Sequence, residues 1–283
     1  MKGGVTETFT GAGLYPGLPE DVYHRDIVPE GSLSVTSAKK LLKPGGPAIF
    51  HYEREHPRPS TAAMELGTAA HKLVLGTGQE IREIKADSWR GNAAKEAAAE
   101  ARAEGAVPLL SEDMRTVEAM AAALREHPTA GPLLRGDRGK AEVSGFWRDE
   151  LYGIWRRCRF DFMPDWRPLF ADYKTAKDAS PKGFAKAAAD YRYDMQADWY
   201  SEAYAALTGE WPVSLFVAQE KTPPYLVSVN QLDSDAMQNG RRANERAIEA
   251  YLKCTETGEW PGYTTEIETI TLPRWSAAWE ETL

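Results

Sequence analysis

The sequence predicts an α/β fold in which a central mixed sheet is flanked by helices. Strand-like segments rich in β-branched and aromatic residues cluster between residues 141 and 229, and helical segments precede, interrupt and follow them. The chain of 283 residues is 42% hydrophobic and 27% charged, which is typical of globular proteins. We therefore expect an irregular arm over residues 1–31 and a single large domain over residues 32–283.

The arm is rich in Gly, Pro and Thr and shows no hydrophobic period. After it, Ser34 or Thr36 can cap a short helix that ends at Leu42. A cluster of Pro and Gly then separates this helix from a second helical stretch over residues 48–55. This pattern does not decide whether the arm is ordered.

A longer helix is predicted to begin at Thr61 and to end at Gly76. Small residues inside it keep the helix thin, so that its backbone can approach a neighbouring sheet and His71 points inward. One face of this helix carries Met64, Thr68, His71 and Leu75 at spacings of four, three and four.

Residues 92–128 are dominated by Ala, Glu and Arg and predict a helical insert. Gly105 and Pro108 divide the insert into two helices, the second capped by Ser111. The insert is either scaffold or a mobile flap. The elements predicted after it are strands over residues 141–147, 154–162 and 169–174, a long helix over 184–207, strands over 213–219 and 225–229, and a helix over 235–253.

The formal charge of −8 argues against a surface that coats DNA, because non-specific DNA affinity depends on many Lys and Arg side chains. The charge is unevenly spread, however. Residues 154–192 hold nine Lys and Arg against five Asp, a local excess of four positive charges. A basic cleft in an acidic exterior explains this asymmetry, and chance clustering on solvated faces explains it equally well.

Cysteine content and hydropathy restrict the class of protein further. Two cysteines are too few for a four-thiolate zinc or iron–sulfur site, so any metal is held by oxygen or nitrogen. No apolar run is long enough to span a membrane, and the amino terminus lacks the layout of a signal peptide. We expect a cytoplasmic protein with no membrane partner.

The chemistry centres on a predicted hairpin between the segments 154–162 and 169–174. If residues 165–168 close a four-residue loop, Asp161 falls directly opposite Asp172, with Cβ atoms about 5 Å apart. Two carboxylates so close repel each other unless a cation or a proton lies between them. The sequence therefore predicts that this pair binds a metal ion.

Lys174 lies on the same strand face as Asp172, because the two residues are two positions apart. Carboxylate, water and phosphate oxygens suit Mg²⁺, for which Mn²⁺ can substitute. The lysine can orient or deprotonate an attacking water, or stabilise charge on a phosphate. Tyr173, between them, would offer only its backbone carbonyl.

The bare spacing of Asp161, Asp172 and Lys174 arises readily by chance, and an exposed hairpin with charges on its wet face is the alternative. The flanking residues Phe160, Phe162, Leu169 and Phe170 favour a functional site, because carboxylates without a role are rare among such neighbours.

Four further residues are ambiguous on sequence alone. Gln196 and Tyr200 project from one helix face and can reach a phosphate, although ordinary packing of Tyr200 beside an exposed Gln196 is the favoured alternative. His71 alone is more often a core histidine than a ligand. Glu142, at the start of its strand, is possible support for the site.

Several ordered motifs resemble the RecE-type, or exonuclease VIII-like, exonucleases of the PD-(D/E)xK nuclease superfamily. The resemblance covers most of the chain after residue 30, and one mild departure is Tyr173 at a position where an aliphatic residue is common. The motifs are Leu33–Leu42, Met64–His71, Arg159–Phe162, Asp172–Ser180, Tyr193–Tyr200, Gln219–Tyr225 and Gly258–Tyr263.

This resemblance implies that His71, Asp161 and Asp172 ligate the metal and that Lys174 is the catalytic lysine, supported by Gln196 and Tyr200. It also implies degradation of one strand of linear duplex DNA from the 5′ end, leaving a 3′ overhang. A toroidal homo-oligomer and a RecT-type single-strand annealing partner, as in phage recombination, follow from the same resemblance. Relatives that carry an iron–sulfur cluster are excluded because they need four cysteines and this chain has two. Helicase-linked relatives are excluded because the sequence has no ATP-binding loop.

Two alternatives stay open: an endonuclease of the same superfamily, and a non-catalytic adaptor for DNA ends or annealing proteins. For either nuclease, some basic side chains are candidates for DNA contact, although each can equally be a surface charge. These candidates are Arg157, Arg159, Lys177, Lys182 and Lys186.

Overall fold

A mixed sheet of seven strands forms the centre of the computed structural model, which describes residues 9–56 and 62–273. Most neighbouring strands are antiparallel, whereas β7 and β8 pair in parallel and β2 joins β6 in parallel. The order across the sheet is β1-β5-β6-β7-β8-β9, and β3 and β4 form a separate parallel pair. The strands are β1 (Gly13–Pro16), β2 (Leu33–Ser34), β3 (Ile81–Ile84), β4 (Val107–Leu110), β5 (Gly139–Asp149), β6 (Ile154–Pro164), β7 (Leu169–Ala176), β8 (Val213–Glu220) and β9 (Val227–Asn230).

Helices flank this sheet, which confirms the predicted fold class. The helices are α1 (Glu20–Arg25), α2 (Val35–Leu41), α3 (Gly46–Glu55), α4 (Ala62–Leu75), α5 (Asn92–Ala103), α6 (Ser111–Glu126), α7 (Ala130–Leu133), α8 (Pro181–Asp190), α9 (Tyr193–Thr208) and α10 (Ser234–Thr257). Within the described ranges, no helix is both long enough and apolar enough to span a bilayer.

Two apolar layers hold the helices on the sheet. In the first, α2, α9 and α10 pack through residues such as Ala38, Trp199 and Ala247 against strand residues such as Phe160. In the second, α4, α6 and α7 pack against the strands around Tyr173. Burial of this apolar area is the main favourable term in folding.

The amino-terminal arm is more regular than predicted. β1 pairs antiparallel with β5, and α1 follows it. Leu18 and Val22 are each only 2% exposed, packed in a cluster with Phe146. The sequence pattern failed here because elements of four and six residues are too short to display a period.

The insert over residues 92–128 is not purely helical, because β4 occupies the predicted break around Pro108. Ser111 does not cap the second helix: Leu110 is the N-cap residue, and the Ser111 hydroxyl donates a 2.6 Å hydrogen bond to Glu83. Val117 and Met120 of α6 are fully buried in the second apolar layer. The buried face of α6 identifies it as scaffold rather than a flap.

Helix boundaries elsewhere differ in two places. The long helix predicted over residues 184–207 is two helices, because Arg192 adopts a left-handed conformation with φ of 54° and breaks the hydrogen-bond ladder. Of the two predicted caps of α2, Ser34 and Thr36, the structure uses Ser34. Its side chain accepts a 3.3 Å hydrogen bond from the Ser37 amide. The predicted start of α4 at Thr61 lies outside the described residues, and Met64 on its predicted inner face is 59% exposed.

Candidate active site

The hairpin of β6 and β7 places two carboxylates opposite each other, as predicted. The two strands pair at Phe162 and Ala171, and residues 165–168 form the connection. Continuing that register by one position sets Asp161 against Asp172. The hairpin loop is local in sequence, which is why its register could be predicted without the rest of the fold.

A third carboxylate extends this row across the neighbouring strand. Ala141 pairs with Phe162 and Val143 with Phe160, so Glu142 lies opposite Asp161 between these pairs. Glu142 has a φ of 53°, an unusual conformation for a residue with a side chain and one that is often found at functional sites. The turn predicted over residues 149–153 is one residue too long to align Glu142 with Asp161, because Asp149 still pairs with Ile154 and only residues 150–153 form the connection.

Helix α4 brings a histidine to the same row. His71 Nδ1 lies 3.7 Å from an Asp161 oxygen and 4.0 Å from a Glu142 oxygen. Each of these three residues offers one ligand atom, and the three atoms all lie within 4.8 Å of one another. Helix α4 can lie this close to the sheet because its residues Ala69 and Ala70 are small and fully buried. The sequence predicted this close packing.

Asp161 is held in position by the backbone of the opposite strand. Its Oδ2 atom accepts a 2.8 Å hydrogen bond from the Tyr173 amide. The Tyr173 ring packs edge-on against His71, with 5.0 Å between ring centroids, and its hydroxyl donates to Gln219. These contacts fix the histidine and the carboxylate before any ligand binds.

Asp172 lies at the other end of the site, with two partners on its two oxygens. Gln196 of α9 donates a 2.6 Å hydrogen bond to Oδ1, and Lys174 Nζ lies 2.5 Å from Oδ2. The buried Oδ2 atom nevertheless receives no hydrogen bond of regular geometry. The contact with Lys174 is an ion pair, and Oδ2 has no other partner among the described residues.

Burial and crowding shift the pKa values of the site. Burial, and then the nearby Asp172 charge, raise the pKa of Asp161 well above its usual range. Burial, and then the Lys174 charge, lower the pKa of His71 to about 4, so that its imidazole is neutral at neutral pH. Burial alone would lower the pKa of Lys174, but the charges of Asp172 and Asp161 raise it further than burial lowers it.

This donor set suits a divalent cation. A neutral imidazole can ligate a metal, and carboxylates that repel one another are relieved by a positive ion. Glu142 and Asp161 offer the hard oxygen atoms that Mg²⁺ or Mn²⁺ prefers, and His71 offers a nitrogen that Mn²⁺ accepts more readily. Asp172 lies outside this three-residue group, so its role as a ligand stays a prediction. The Tyr173 carbonyl stays a prediction as a ligand.

Tyr200 forms no hydrogen bond to the carboxylate row of Glu142, Asp161 and Asp172 among the described residues. It is 8% exposed, and its ring packs against Phe160 and Phe170, with centroids 5.4 and 5.9 Å away. Its helix neighbour Gln196, by contrast, reaches Asp172 directly. The packing alternative therefore describes Tyr200 and fails for Gln196, which is not exposed.

The basic candidates for DNA contact divide into two groups. Arg157 pairs with Asp26 at 2.5 Å, and Arg159 pairs with Glu142 at 2.6 Å, so both guanidinium groups are engaged inside the protein. The remaining candidates, Lys177, Lys182 and Lys186, are exposed. The local excess of positive charge in the sequence is therefore partly internal and overstates the basic surface available to DNA.

Glu20 of α1 is an acidic neighbour that sequence reasoning missed. A hydrogen bond from His24 is the main cause of its lowered pKa, and the charge of Arg159 contributes. An arm predicted to be irregular gave no reason to place a carboxylate here, and no local signal in the sequence could have done so.

Comparison with solved structures supports the fold. A structure from Eubacterium rectale described as a "Putative exonuclease" is 13% identical and superposes with a TM-score of 0.59, over 88% of this chain and 93% of that chain. A second, SSO0001, is 11% identical, with a TM-score of 0.30 over 72% of this chain and 89% of that chain, too low to support any argument. No curated protein matches this sequence.

Sequence comparison identifies the family. The model of a family described as "PDDEXK-like domain of unknown function (DUF3799)" matches residues 34–273, which include His71, the three carboxylates, Lys174 and Gln196. Since the match spans most of the chain, this protein belongs to that family of PDDEXK-like domains.

Proposed function

We propose that this protein is a metal-dependent deoxyribonuclease whose active site is built from Glu142, Asp161, Asp172 and Lys174. The observation that carries the proposal is the row of three carboxylates on adjacent strands, with a lysine ammonium 2.5 Å from its last member. Such an arrangement is costly for folding unless it binds a cation, and it is the constellation expected for phosphodiester hydrolysis.

The side chains divide the work between holding the metal and handling the phosphate. His71, Glu142, Asp161 and Asp172 would hold Mg²⁺, which supplies an activated water and stabilises charge on the phosphate. Gln196 fixes Oδ1 of Asp172 and so directs its other oxygen into the site. The Lys174 ammonium, next to that oxygen, stabilises negative charge that develops on the phosphate.

We further propose that the substrate is the end of linear duplex DNA. The resemblance to RecE-type exonucleases supports digestion of one strand from 5′ to 3′, leaving 3′ overhangs. It also supports a ring-shaped homo-oligomer that acts in the cytoplasm during recombination. This oligomer would pass the 3′ overhangs to a RecT-type annealing protein. The neighbouring structure's description as an exonuclease agrees with an activity on ends rather than on internal sites.

A digestion assay in Mg²⁺ tests this function. The substrates are one duplex in linear form and in covalently closed circular form, each treated with wild type, with Asp172→Ala and with the control Asp165→Ala. Asp165 is a matched control because it is exposed and lies in the loop of the same hairpin. We expect wild type and Asp165→Ala to digest only the linear DNA, and Asp172→Ala to digest neither.

Other outcomes distinguish the alternatives. Cleavage of the circular DNA would indicate an endonuclease that uses the same site. Equal digestion by wild type and Asp172→Ala would show that this site is not responsible. Binding of DNA ends without digestion by the wild type would indicate a non-catalytic adaptor.

A further inference from the structure

A second ammonium group lies next to the catalytic lysine. Lys39 of α2 and Lys174 of β7 both lie over the ring of Tyr193, with their Nζ atoms 5.6 and 5.2 Å from its centroid. The two lysines come from distant parts of the sequence. Their meeting on one ring is produced by the packing of α2 and α9 on the same side of the sheet.

The positive charge of Lys39 has no carboxylate partner in the part of the chain that the structure describes. The adjacent Lys40 forms an ion pair with Glu53. Lys39 contacts the Tyr193 ring face, which compensates a charge less completely than a carboxylate does. Lys39 is thus a half-buried cation left uncompensated beside another cation.

The acidic groups near Lys39 are already engaged. Asp172 is held by Lys174 and Gln196. Asp194 accepts two hydrogen bonds from Arg192, at 3.0 and 2.9 Å, and a third from Asn239 at 2.7 Å. Neither carboxylate can turn to Lys39 without breaking these contacts, so an anion from outside the protein is the partner that this arrangement can accept.

We propose that Lys39 binds a phosphate group of the DNA strand that is cut, next to the phosphate that is attacked beside Lys174. The inference rests on the proposed function and deepens it by assigning a second phosphate subsite. Burial, and then the Lys174 charge, lower the pKa of Lys39 to about 7, so about half of the Lys39 side chains are charged at pH 7. A bound phosphate would favour the charged form. The phosphate is either the terminal 5′-phosphate or an internal phosphodiester.

Equilibrium binding to a labelled linear duplex in EDTA, where no strand is cut, tests this subsite. The proteins are wild type, Lys39→Met, Lys39→Arg and the control Lys95→Met, which removes the same charge from an exposed position on α5. We expect Lys39→Met to weaken binding about tenfold and to reduce the salt dependence by about one ion. Lys39→Arg should retain most of the affinity, and Lys95→Met should behave like wild type.

Duplexes with a 5′-phosphate and with a 5′-hydroxyl separate the two sources of phosphate. A loss confined to the 5′-phosphorylated duplex assigns the terminal phosphate, and an equal loss on both assigns an internal phosphodiester. If Lys39→Met binds both duplexes as tightly as Lys95→Met does, the subsite is disproved while the proposed nuclease stands. If wild type neither binds nor cuts DNA, the proposed function itself fails.

Discussion

Two clusters of buried charge in this molecule are built in opposite ways. The first surrounds Arg156, which is 2% exposed and lies 2.8 Å from both Asp149 and Glu202. Its guanidinium also lies over the rings of Trp147 and Trp199, at 4.8 and 3.8 Å from their centroids. Each carboxylate of this cluster faces a cation, as a stable buried network requires.

The second cluster is the carboxylate row at the candidate active site. Among the described residues, the basic group closest to the Asp161 carboxylate is His71, whose pKa of about 4 leaves it neutral. The comparison teaches that burial alone does not identify function. Glu142 pairs with Arg159 and Asp172 with Lys174, whereas Asp161 has no charged partner among the described residues. The informative feature is this buried carboxylate, because its desolvation costs stability unless a ligand compensates for it.

Replacing Asp161 should give the largest effect and should separate activity from stability. We expect Asp161→Asn to reduce Mg²⁺-dependent cleavage about 1000-fold, which corresponds to about 4 kcal/mol in the barrier. In EDTA the same variant should unfold at an equal or higher temperature than wild type, because one of three crowded carboxylates is gone. A rate assay and thermal unfolding measure the two effects.

The exposed Asp165 of the same hairpin provides the control. Asp165→Asn should leave both quantities unchanged. A variant Asp161→Asn that loses activity and stability together would contradict the interpretation of Asp161 as a destabilising ligand.

Arg156→Met tests the opposite cluster. Removal of this cation leaves Asp149 buried without its partner, so we expect the free energy of unfolding to fall by about 3 kcal/mol. Urea denaturation measures this change. Arg135→Met, which breaks an exposed ion pair with Asp137, should cost far less. Equal losses for both variants would mean that the Arg156 cluster does not stabilise the fold.

Asp198, beside the Arg156 cluster, should make stability depend on pH. Burial, and then the Glu202 charge, raise its pKa to about 6, above the unfolded value near 4. The folded state therefore binds the proton more tightly. The stabilisation from the Asp198 proton is therefore complete below about pH 4 and is lost as the pH rises to about 6. Above that pH, titration of Asp198 no longer changes the free energy of unfolding.

The measurable consequence is a difference between wild type and Asp198→Asn. The stability of the variant relative to wild type should increase by about 2 kcal/mol between pH 4 and pH 7. Unfolding by urea at several pH values gives this difference directly. A constant offset across that range would show that Asp198 titrates normally in the folded protein.

Glu142→Gln should have the smallest effect of the four. Loss of one carboxylate ligand is expected to raise the Mg²⁺ concentration for half-maximal activity about tenfold. Glu20→Gln is a suitable control, because Glu20 lies near the site but outside the three-residue group that can hold a metal. An unchanged Mg²⁺ requirement in Glu142→Gln would assign Glu142 to the Arg159 ion pair alone.

The parts of the fold that could be predicted are those with long or local signals. The strands β5 to β8 and helix α10 were predicted to within a few residues, because their periodic patterns extend over seven residues or more. The break in the helix at Arg192 was not predicted, because nothing in the local sequence indicates that an arginine adopts a left-handed conformation. Strand β4 was missed because Pro108 indicates a break, although proline is tolerated in an edge strand.

The sequence by itself determined the opposition of Asp161 and Asp172, because a four-residue loop fixes the register of adjacent strands. Only the tertiary structure decided that Glu142 lies with Asp161 and His71, although the resemblance already implied a role for His71. It also decided that Arg157 and Arg159 are engaged internally. It alone brought Lys39 and Lys174 to one tyrosine ring. The physical reason is that contacts between distant segments depend on how helices pack on the sheet, which no local period encodes.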